Sequence, residues 1–239
     1  MDINLNDTNI LNVYRYGSHV YGTVNEKSDE DFIVVTKDKV ISDNINAQYY
    51  TIIEFQRLLD NHDVHMVECY FLPNEFKIKE EYKDFHFKLD LGKLRVSFST
   101  VHNGSWIKGK KKLIVMSDYD KYLALKSLFH SIRILGNGIQ IATHGKIINY
   151  GEYNWFLRDI LKLGDEYDRL ELWERFDAKY REFYNKLSSE FKKLCPKKSI
   201  PEQQVKENLI KLFVDNGCYS NEVVKTHLIS KILKLVNEN

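Results

Sequence analysis

The hydrophobic positions of this chain follow two different periods, one before and one after about residue 90. In the first part, short apolar runs alternate with polar turns, as in a region that contains β-strands. Residues 31–36 and 45–52 predict two strands, which we expect to pair in antiparallel order. Residues 53–60 carry apolar side chains at the spacing of an amphipathic helix. The first part is therefore predicted to be mixed α/β.

In the second part, the apolar side chains recur with the period of an α-helix. One stripe begins at Tyr122, and we expect its helix to end at Gly136-Asn137-Gly138, because glycine and asparagine are common at helix C-termini. Residues 170–195 predict a long, charged amphipathic helix. We predict an α+β protein with a mixed-sheet core at residues 1–92 and a helical domain at residues 93–239.

Composition narrows the class of protein. The chain has 239 residues, and 35 Lys and Arg against 34 Asp and Glu leave a net charge of +1, so no overall field attracts a polyanion. The three cysteines, at positions 69, 195 and 218, are too widely spaced for a disulfide framework or a structural zinc site. No apolar run reaches the ~20 residues of a membrane span, and the N-terminus has no basic leader. We expect a soluble, cytoplasmic protein that does not contact a membrane.

One short segment contains residues that could bind a ligand. A Gly17-Ser18 turn is followed by Asp29 and Asp31, which lead directly into an apolar strand. Backbone N–H groups and a hydroxyl in a small turn can hold phosphate oxygens. Two carboxylates separated by one residue lie on the same side of a strand, where they can share a hard cation such as Mg²⁺. Each motif alone is typical of an ordinary turn, whereas the two together favour a site for a metal and a nucleotide.

This order and spacing of Gly-Ser and Asp-x-Asp resembles the signature of the DNA polymerase beta superfamily of nucleotidyltransferases. Residues 50–59, 67–73 and 126–135 look similar to successive blocks of the RlaP-type predicted nucleotidyltransferases, which are associated with RNA repair and are frequent in phages and large viruses. The resemblance implies a mixed-sheet nucleotidyltransferase core of the polymerase beta type. It also implies transfer of a nucleoside monophosphate from a nucleoside triphosphate, such as ATP, to an RNA end, in RNA repair or tRNA end modification.

The same resemblance implies roles for the motif residues. Asp29 and Asp31 would be the catalytic residues and would bind two divalent ions, Mg²⁺ or Mn²⁺. Gly17 and Ser18 would hold the β- and γ-phosphates.

The superfamily adds a third carboxylate on a neighbouring strand, and this chain departs from that pattern. The corresponding position falls at Asn46, whose amide oxygen can ligate a cation but neutralises no charge. Asp43 and Glu68 are alternative third ligands, and Glu68, a carboxylate within an apolar run, is the better of the two. Its other interpretation is an ion pair with a core arginine or a helix cap.

Two basic groups are candidates for contacts with phosphate. Lys126, His130 and Arg133 lie at i, i+4 and i+7 of a predicted helix and are expected to bind the triphosphate; the alternative is a solvated helix face. A second group lies beside a tryptophan, and phosphate charge together with base stacking is one way to hold single-stranded RNA. The members of this second group are Trp106, Lys108, Lys110 and Lys111.

Two other functions remain open. The same chemistry can act on a protein acceptor, as in enzymes of toxin–antitoxin type that attach AMP to a partner. Because Asn46 stands where a carboxylate is expected, the chain can also be a nucleotide- or RNA-binding module that has lost catalysis.

Overall fold

The computed structural model describes residues 3–26 and 28–197. All the elements below belong to the unit of the chain that ends at Pro196. Four strands form one sheet in the order β3-β2-β1-β4. Their bounds are β1 Ile10–Tyr16, β2 Asp31–Thr36, β3 Ala47–Thr51 and β4 Lys77–Glu80.

The sheet is mixed in strand direction. The first strand pairs antiparallel with both β2 and β4, whereas β2 and β3 are parallel, with Phe32 opposite Ala47. The predicted antiparallel pairing of residues 31–36 with 45–52 is therefore wrong. Residues 37–46 do not form a tight hairpin turn, because they carry the chain back to the level at which β2 begins.

The two faces of the sheet bury different cores. Because side chains alternate along a strand, Phe32 and Val34 pack with Ala47 in a small cluster on one face. Ile33 and Val35 lie on the other face, within the large core that the helices complete. The strand β2 is apolar at each of these positions because both of its faces are covered.

The described residues contain seven α-helices, and polar caps begin several of them. At the start of α2, the Thr51 hydroxyl accepts from the backbone N–H of Glu54 at 3.2 Å, and the Glu54 carboxylate accepts from the Thr51 N–H at 2.9 Å. The helix predicted at residues 53–60 and the long helix predicted at 170–195 are both present. The helices are α1 Ser18–Tyr21, α2 Ile52–Asp60, α3 Val64–Tyr70, α4 Leu91–Ile114, α5 Lys121–His144, α6 Asn154–Glu166 and α7 Arg169–Leu194.

The fifth helix runs past its predicted end. We expected it to stop at Gly136-Asn137-Gly138, but it continues to His144 and ends at Gly145, whose φ is 71°. The internal glycines serve packing instead. A β-carbon at Gly136 would lie 1.9 Å from the Tyr153 ring, and one at Gly138 would lie 2.8 Å from the Phe191 ring. Close approach of aromatic rings, and not termination, explains the two glycines.

The fold class is α+β, as predicted: a mixed four-stranded sheet followed by a helical region that begins at Leu91. The division into domains at residues 92 and 93 stays a prediction. Among the described residues, no helix is both long enough and apolar enough to cross a membrane.

Candidate active site

A pocket of about 590 Å³ lies at the end of the sheet where β1 ends and β2 begins. The turn after β1 and residues 22–25 line one side, and side chains of α4, α5 and α6 line the other. Several polar side chains that could bind a ligand line it. They are Ser18, Asp31, Lys108, Lys126, His130 and Arg158.

Gly17 and Asp31 meet at the end of the sheet. Tyr16, which precedes Gly17, pairs with Asp31 across the antiparallel strands. Gly17 has a φ of 75°, and a β-carbon there would lie 2.5 Å from Oδ2 of Asp31. Glycine suits this position, because side chains rarely adopt this backbone conformation and a β-carbon would displace the Asp31 carboxylate.

Asp31 is the first residue of β2, and Asp29 is exposed two residues earlier. Burial raises the pKa of Asp31; the positive charge of Lys126 opposes this rise, and the negative charge of Asp29 adds to it. Within the described residues, neither carboxylate accepts a hydrogen bond or forms a salt bridge. Both therefore have oxygen lone pairs that can bind a cation.

Asn46 lies beside Asp31. The backbone N–H of Phe32 donates to the carbonyl of Asn46 at 2.8 Å, and Phe32 pairs with Ala47 in the parallel register. Asn46 itself is in the turn that precedes β3, and this hydrogen bond brings its backbone to the start of β2, next to Asp31. In the part of the chain that the structure describes, no group of three His, Cys, Asp or Glu residues is arranged to hold a metal ion.

A comparison with known families bears on this site. Residues 4–88 match the family model of the nucleotidyltransferase domain. The matched segment contains all four strands, the Gly17-Ser18 turn, Asp29 and Asp31, and it ends before α4. The match supports the polymerase beta-like superfamily and, with it, a transferase that uses a nucleoside triphosphate. Searches of the curated proteins and of the solved structures found no match.

Glu68 lies within the matched segment, but it does not line the pocket. Its side chain is fully buried, and its two oxygens accept four hydrogen bonds from neighbouring side chains. It has no lone pair left for a metal ion, so the predicted role of Glu68 as a third ligand does not fit the structure. The alternative interpretation, an ion pair with a core arginine, is the one the structure shows.

That arginine is Arg133, which we expected to bind the triphosphate. Lys126 and His130 line the pocket, but the Arg133 side chain is 1% exposed and is paired with Glu68. Arg133 follows Lys126 by seven residues, which is about 10 Å along α5 at ~1.5 Å per residue. At this distance the Arg133 side chain is in the core and does not line the pocket. The helical spacing correctly places the three residues on one face, but it does not tell how deep each lies.

The predicted RNA contacts do not form one surface. Trp106 is 5% exposed and packs face to face with Tyr184, with ring centroids 3.9 Å apart, so it cannot stack on a base. Lys108 lines the pocket. Lys110 lies over the Trp173 ring at 5.0 Å, and Lys111 pairs with Asp118 at 3.3 Å.

Sequence reasoning missed two residues that line the pocket. Arg158 projects from α6 together with Asn154, Leu157 and Leu161 at the spacing of one helical face. Tyr122 lies near the start of α5, and its hydroxyl accepts a hydrogen bond from the Asn25 side chain at 3.0 Å. Neither carries a sequence signal, because an arginine or a tyrosine on an amphipathic helix is ordinary until its neighbours are known.

Proposed function

We propose that this protein transfers a nucleoside monophosphate from a nucleoside triphosphate to an RNA end with the help of Mg²⁺. The observation that carries the proposal is Asp31, which lines one pocket with the Gly17-Ser18 turn and Lys126 and has no hydrogen-bond or ion-pair partner among the described residues; Asp29, two residues earlier, is close enough for its charge to act on Asp31. A triphosphate needs cations to neutralise its charge and a turn to hold its oxygens.

Each residue of the site has a part in the proposed reaction. Gly17 allows the Asp31 carboxylate to approach the turn, and Ser18 supplies a hydroxyl for the β- or γ-phosphate. Lys126 contributes a positive charge to the triphosphate, and His130 a ring nitrogen. The acceptor oxygen forms a bond to the α-phosphorus while the bond to the bridging oxygen breaks. Pyrophosphate then leaves, and the hydroxyl proton passes to solvent.

Asp29 and Asp31 fit a hard divalent cation because no group in the described part of the chain donates to their oxygens, and because two neighbouring carboxylates repel until a cation joins them. Asn46, whose backbone lies next to the start of β2, is a candidate for a further ligand through its amide oxygen. When bound, such a cation neutralises phosphate charge and lowers the pKa of the acceptor hydroxyl.

The proposed RNA acceptor rests on the charge of the pocket as well as on the resemblance to RNA-repair nucleotidyltransferases. Lys108, Lys126 and Arg158 line the pocket from three different helices. Among the described residues, none of the three forms a salt bridge. The net charge of +1 gives no overall attraction, so this local group is the part of the protein that favours a polyanion.

A second candidate function is a nucleotide-binding module without turnover. The observation that favours it is Asn46, whose backbone lies next to the start of β2 and whose side chain is an amide where the resemblance leads us to expect a carboxylate. It predicts metal-dependent nucleotide binding without pyrophosphate release, and an Asn46→Asp variant that gains release.

One experiment separates these functions. The pure protein is incubated with labelled nucleoside triphosphates, Mg²⁺ or Mn²⁺, and a mixed RNA pool, and pyrophosphate and labelled RNA are measured. We expect labelled RNA from the wild type and none from an Asp29→Ala/Asp31→Ala variant. Equal activity of the two proteins would refute the catalytic assignment. Intact-mass measurement of candidate partner proteins in the same reactions detects transfer to protein, which would refute the RNA acceptor.

A further inference from the structure

The carboxylate of Glu68 is the centre of a buried set of hydrogen bonds. Its Oε2 accepts from the hydroxyls of Tyr16 and Tyr21 at 2.9 and 2.8 Å. Its Oε1 accepts from Arg133 at 2.5 Å and from the Asn137 amide at 2.8 Å. Four donors on two oxygens use the acceptor capacity of a carboxylate, so Glu68 holds these side chains in one arrangement.

Two of these donors lie on either side of the turn that faces the pocket. Tyr16 is the last residue of β1 and directly precedes Gly17, and Tyr21 is the last residue of α1. The segment with Gly17 and Ser18 is thus fixed at both ends to the same carboxylate. A shift of Glu68 would move both ends of the turn.

Arg133 connects Glu68 to a second element of the pocket. One terminal nitrogen donates to Glu68, and the other lies 2.9 Å from Nδ1 of His130. The guanidinium also lies on the Tyr21 ring, with its carbon 3.6 Å from the ring centroid. A guanidinium only donates, so Nδ1 of His130 must accept, and the ring proton of neutral His130 is on Nε2.

The surroundings of His130 keep its ring neutral. Burial lowers its pKa well below the usual value, and the positive charge of Arg133, followed by those of Lys126 and Lys108, lowers it further. A neutral ring with a fixed Nε2–H donates one hydrogen bond into the pocket without adding charge. Phosphate oxygens accept such a bond.

We propose that Glu68 and Arg133 are positioning residues of the nucleotide site. Arg133 fixes the tautomer of His130, and Glu68 fixes the Gly17-Ser18 turn; neither touches the ligand. This inference rests on the proposed function, because it takes the pocket to bind a nucleoside triphosphate. It also explains why a costly buried ion pair stands beneath the pocket, where well-packed apolar side chains would give similar stability.

An Arg133→Lys variant separates positioning from simple stabilisation. Lysine keeps the positive charge opposite Glu68, but its single ammonium lacks the fork that reaches Glu68 and His130 together. Nitrogen-15 NMR of the ligand-free protein reads the tautomer of His130. We expect the Nε2–H form in the wild type and a mixture in Arg133→Lys, with about tenfold weaker binding of a Mg²⁺-loaded, non-hydrolysable triphosphate. Arg175→Lys, at an exposed ion pair, is the matched control and should change neither readout.

A double-mutant cycle tests whether Arg133 acts through His130. If it does, His130→Ala should weaken binding, and adding Arg133→Lys to it should weaken binding no further. Independent, additive losses would overturn the inference, as would an unchanged tautomer in Arg133→Lys or an Nδ1–H tautomer in the wild type. The wild-type tautomer is decisive even where Arg133→Lys does not fold.

A second variant tests the turn. Tyr21→Phe removes one hydrogen bond to Glu68 and leaves the contact between Arg133 and His130, so it should weaken triphosphate binding several-fold without altering the tautomer. Tyr184→Phe, which loses a hydrogen bond to Asn103 away from the pocket, is the control for stability. Equal binding by the two variants would overturn the role of Glu68. Absence of triphosphate binding by the wild type would instead refute the proposed function, and the tautomer measurement would still stand.

Discussion

Gly17 touches Asp31: a β-carbon on the glycine would lie 2.5 Å from Oδ2 of the carboxylate, at a backbone φ of 75°. The contact joins the two halves of the Gly-Ser and Asp-x-Asp pattern in space. A Gly17→Ala variant must move either the turn or the carboxylate. We expect it to lower kcat/KM for nucleotidyl transfer by at least about 100-fold, nearly 3 kcal/mol of transition-state binding.

Gly145→Ala is the control for this prediction. Gly145 has a φ of 71°, but nothing lies within 4 Å of its β-carbon position. The strained backbone destabilises both variants by about 1–3 kcal/mol, and only Gly17→Ala adds the collision with Asp31. The contact would be supported if both variants lost a similar amount of melting temperature and only Gly17→Ala lost activity. Equal activity of the two variants would contradict it.

Tyr122 is the most exposed aromatic side chain that lines the pocket, with 52% of its surface accessible. Its ring is a platform for a nucleobase, and stacking of this kind contributes about 1–3 kcal/mol per base. Tyr122→Ala should therefore weaken binding of a Mg²⁺-loaded nucleoside triphosphate about tenfold or more, whereas Tyr122→Phe, which keeps the ring, should change it little. Calorimetry measures both.

Inorganic tripolyphosphate is the control ligand for Tyr122. It carries the phosphates without a base, so its affinity should be the same for the wild type and for Tyr122→Ala. A similar loss for both ligands would show that Tyr122 supports the pocket as a whole and does not bind the base.

The sequence was sufficient for the parts of the site that depend on local order along the chain. Gly17 and Asp31 could be paired because the motif joins a turn to the start of a strand. The burial of Arg133 could not be predicted, because helical spacing defines a face but not the depth at which that face is covered. Nor could the partner of Glu68 be assigned, since it lies 65 positions away on another helix. The direction of β3 depended on the course of a polar loop, which periodicity does not encode.

Gly136 offers a test of the corrected course of α5. A β-carbon there would lie 1.9 Å from the Tyr153 ring, so Gly136→Ala must displace that ring. We expect a loss of about 1–3 kcal/mol in the free energy of unfolding, measured by denaturant titration. Gly104→Ala, on α4 with nothing within 4 Å of the new β-carbon, should instead gain up to about 1 kcal/mol, because alanine is the better helix former. Equal stability of the wild type and Gly136→Ala would contradict the contact with Tyr153.

His102 makes stability depend on pH. It is fully buried between the long helices, and within the described part of the chain its Nε2 has no hydrogen-bond partner. Burial lowers its pKa to about 4, and the charges of Lys192 and Arg95 add to the effect. In the unfolded chain the pKa of a histidine is about 6.5, so between these values the unfolded state binds the proton and the folded state does not. The contribution of His102 to the free energy of unfolding is therefore fully present above pH 6.5. It is lost as the pH falls towards 4, and the total loss is about 3 kcal/mol.

A His102→Phe variant removes this titrating group while keeping a ring of similar shape beside Tyr184. The free energy of unfolding, measured from pH 7 to pH 4, should fall less steeply in this variant than in the wild type. His86→Gln, at an exposed position, should leave the slope of the wild type unchanged. Identical slopes for the wild type and His102→Phe would mean that His102 takes up its proton at the same pH in the folded and the unfolded chain, so that burial does not lower its pKa. Because a lowered folded pKa can only produce a loss on acidification, a wild type that lost less stability towards pH 4 than His102→Phe would contradict the lowered pKa of this ring.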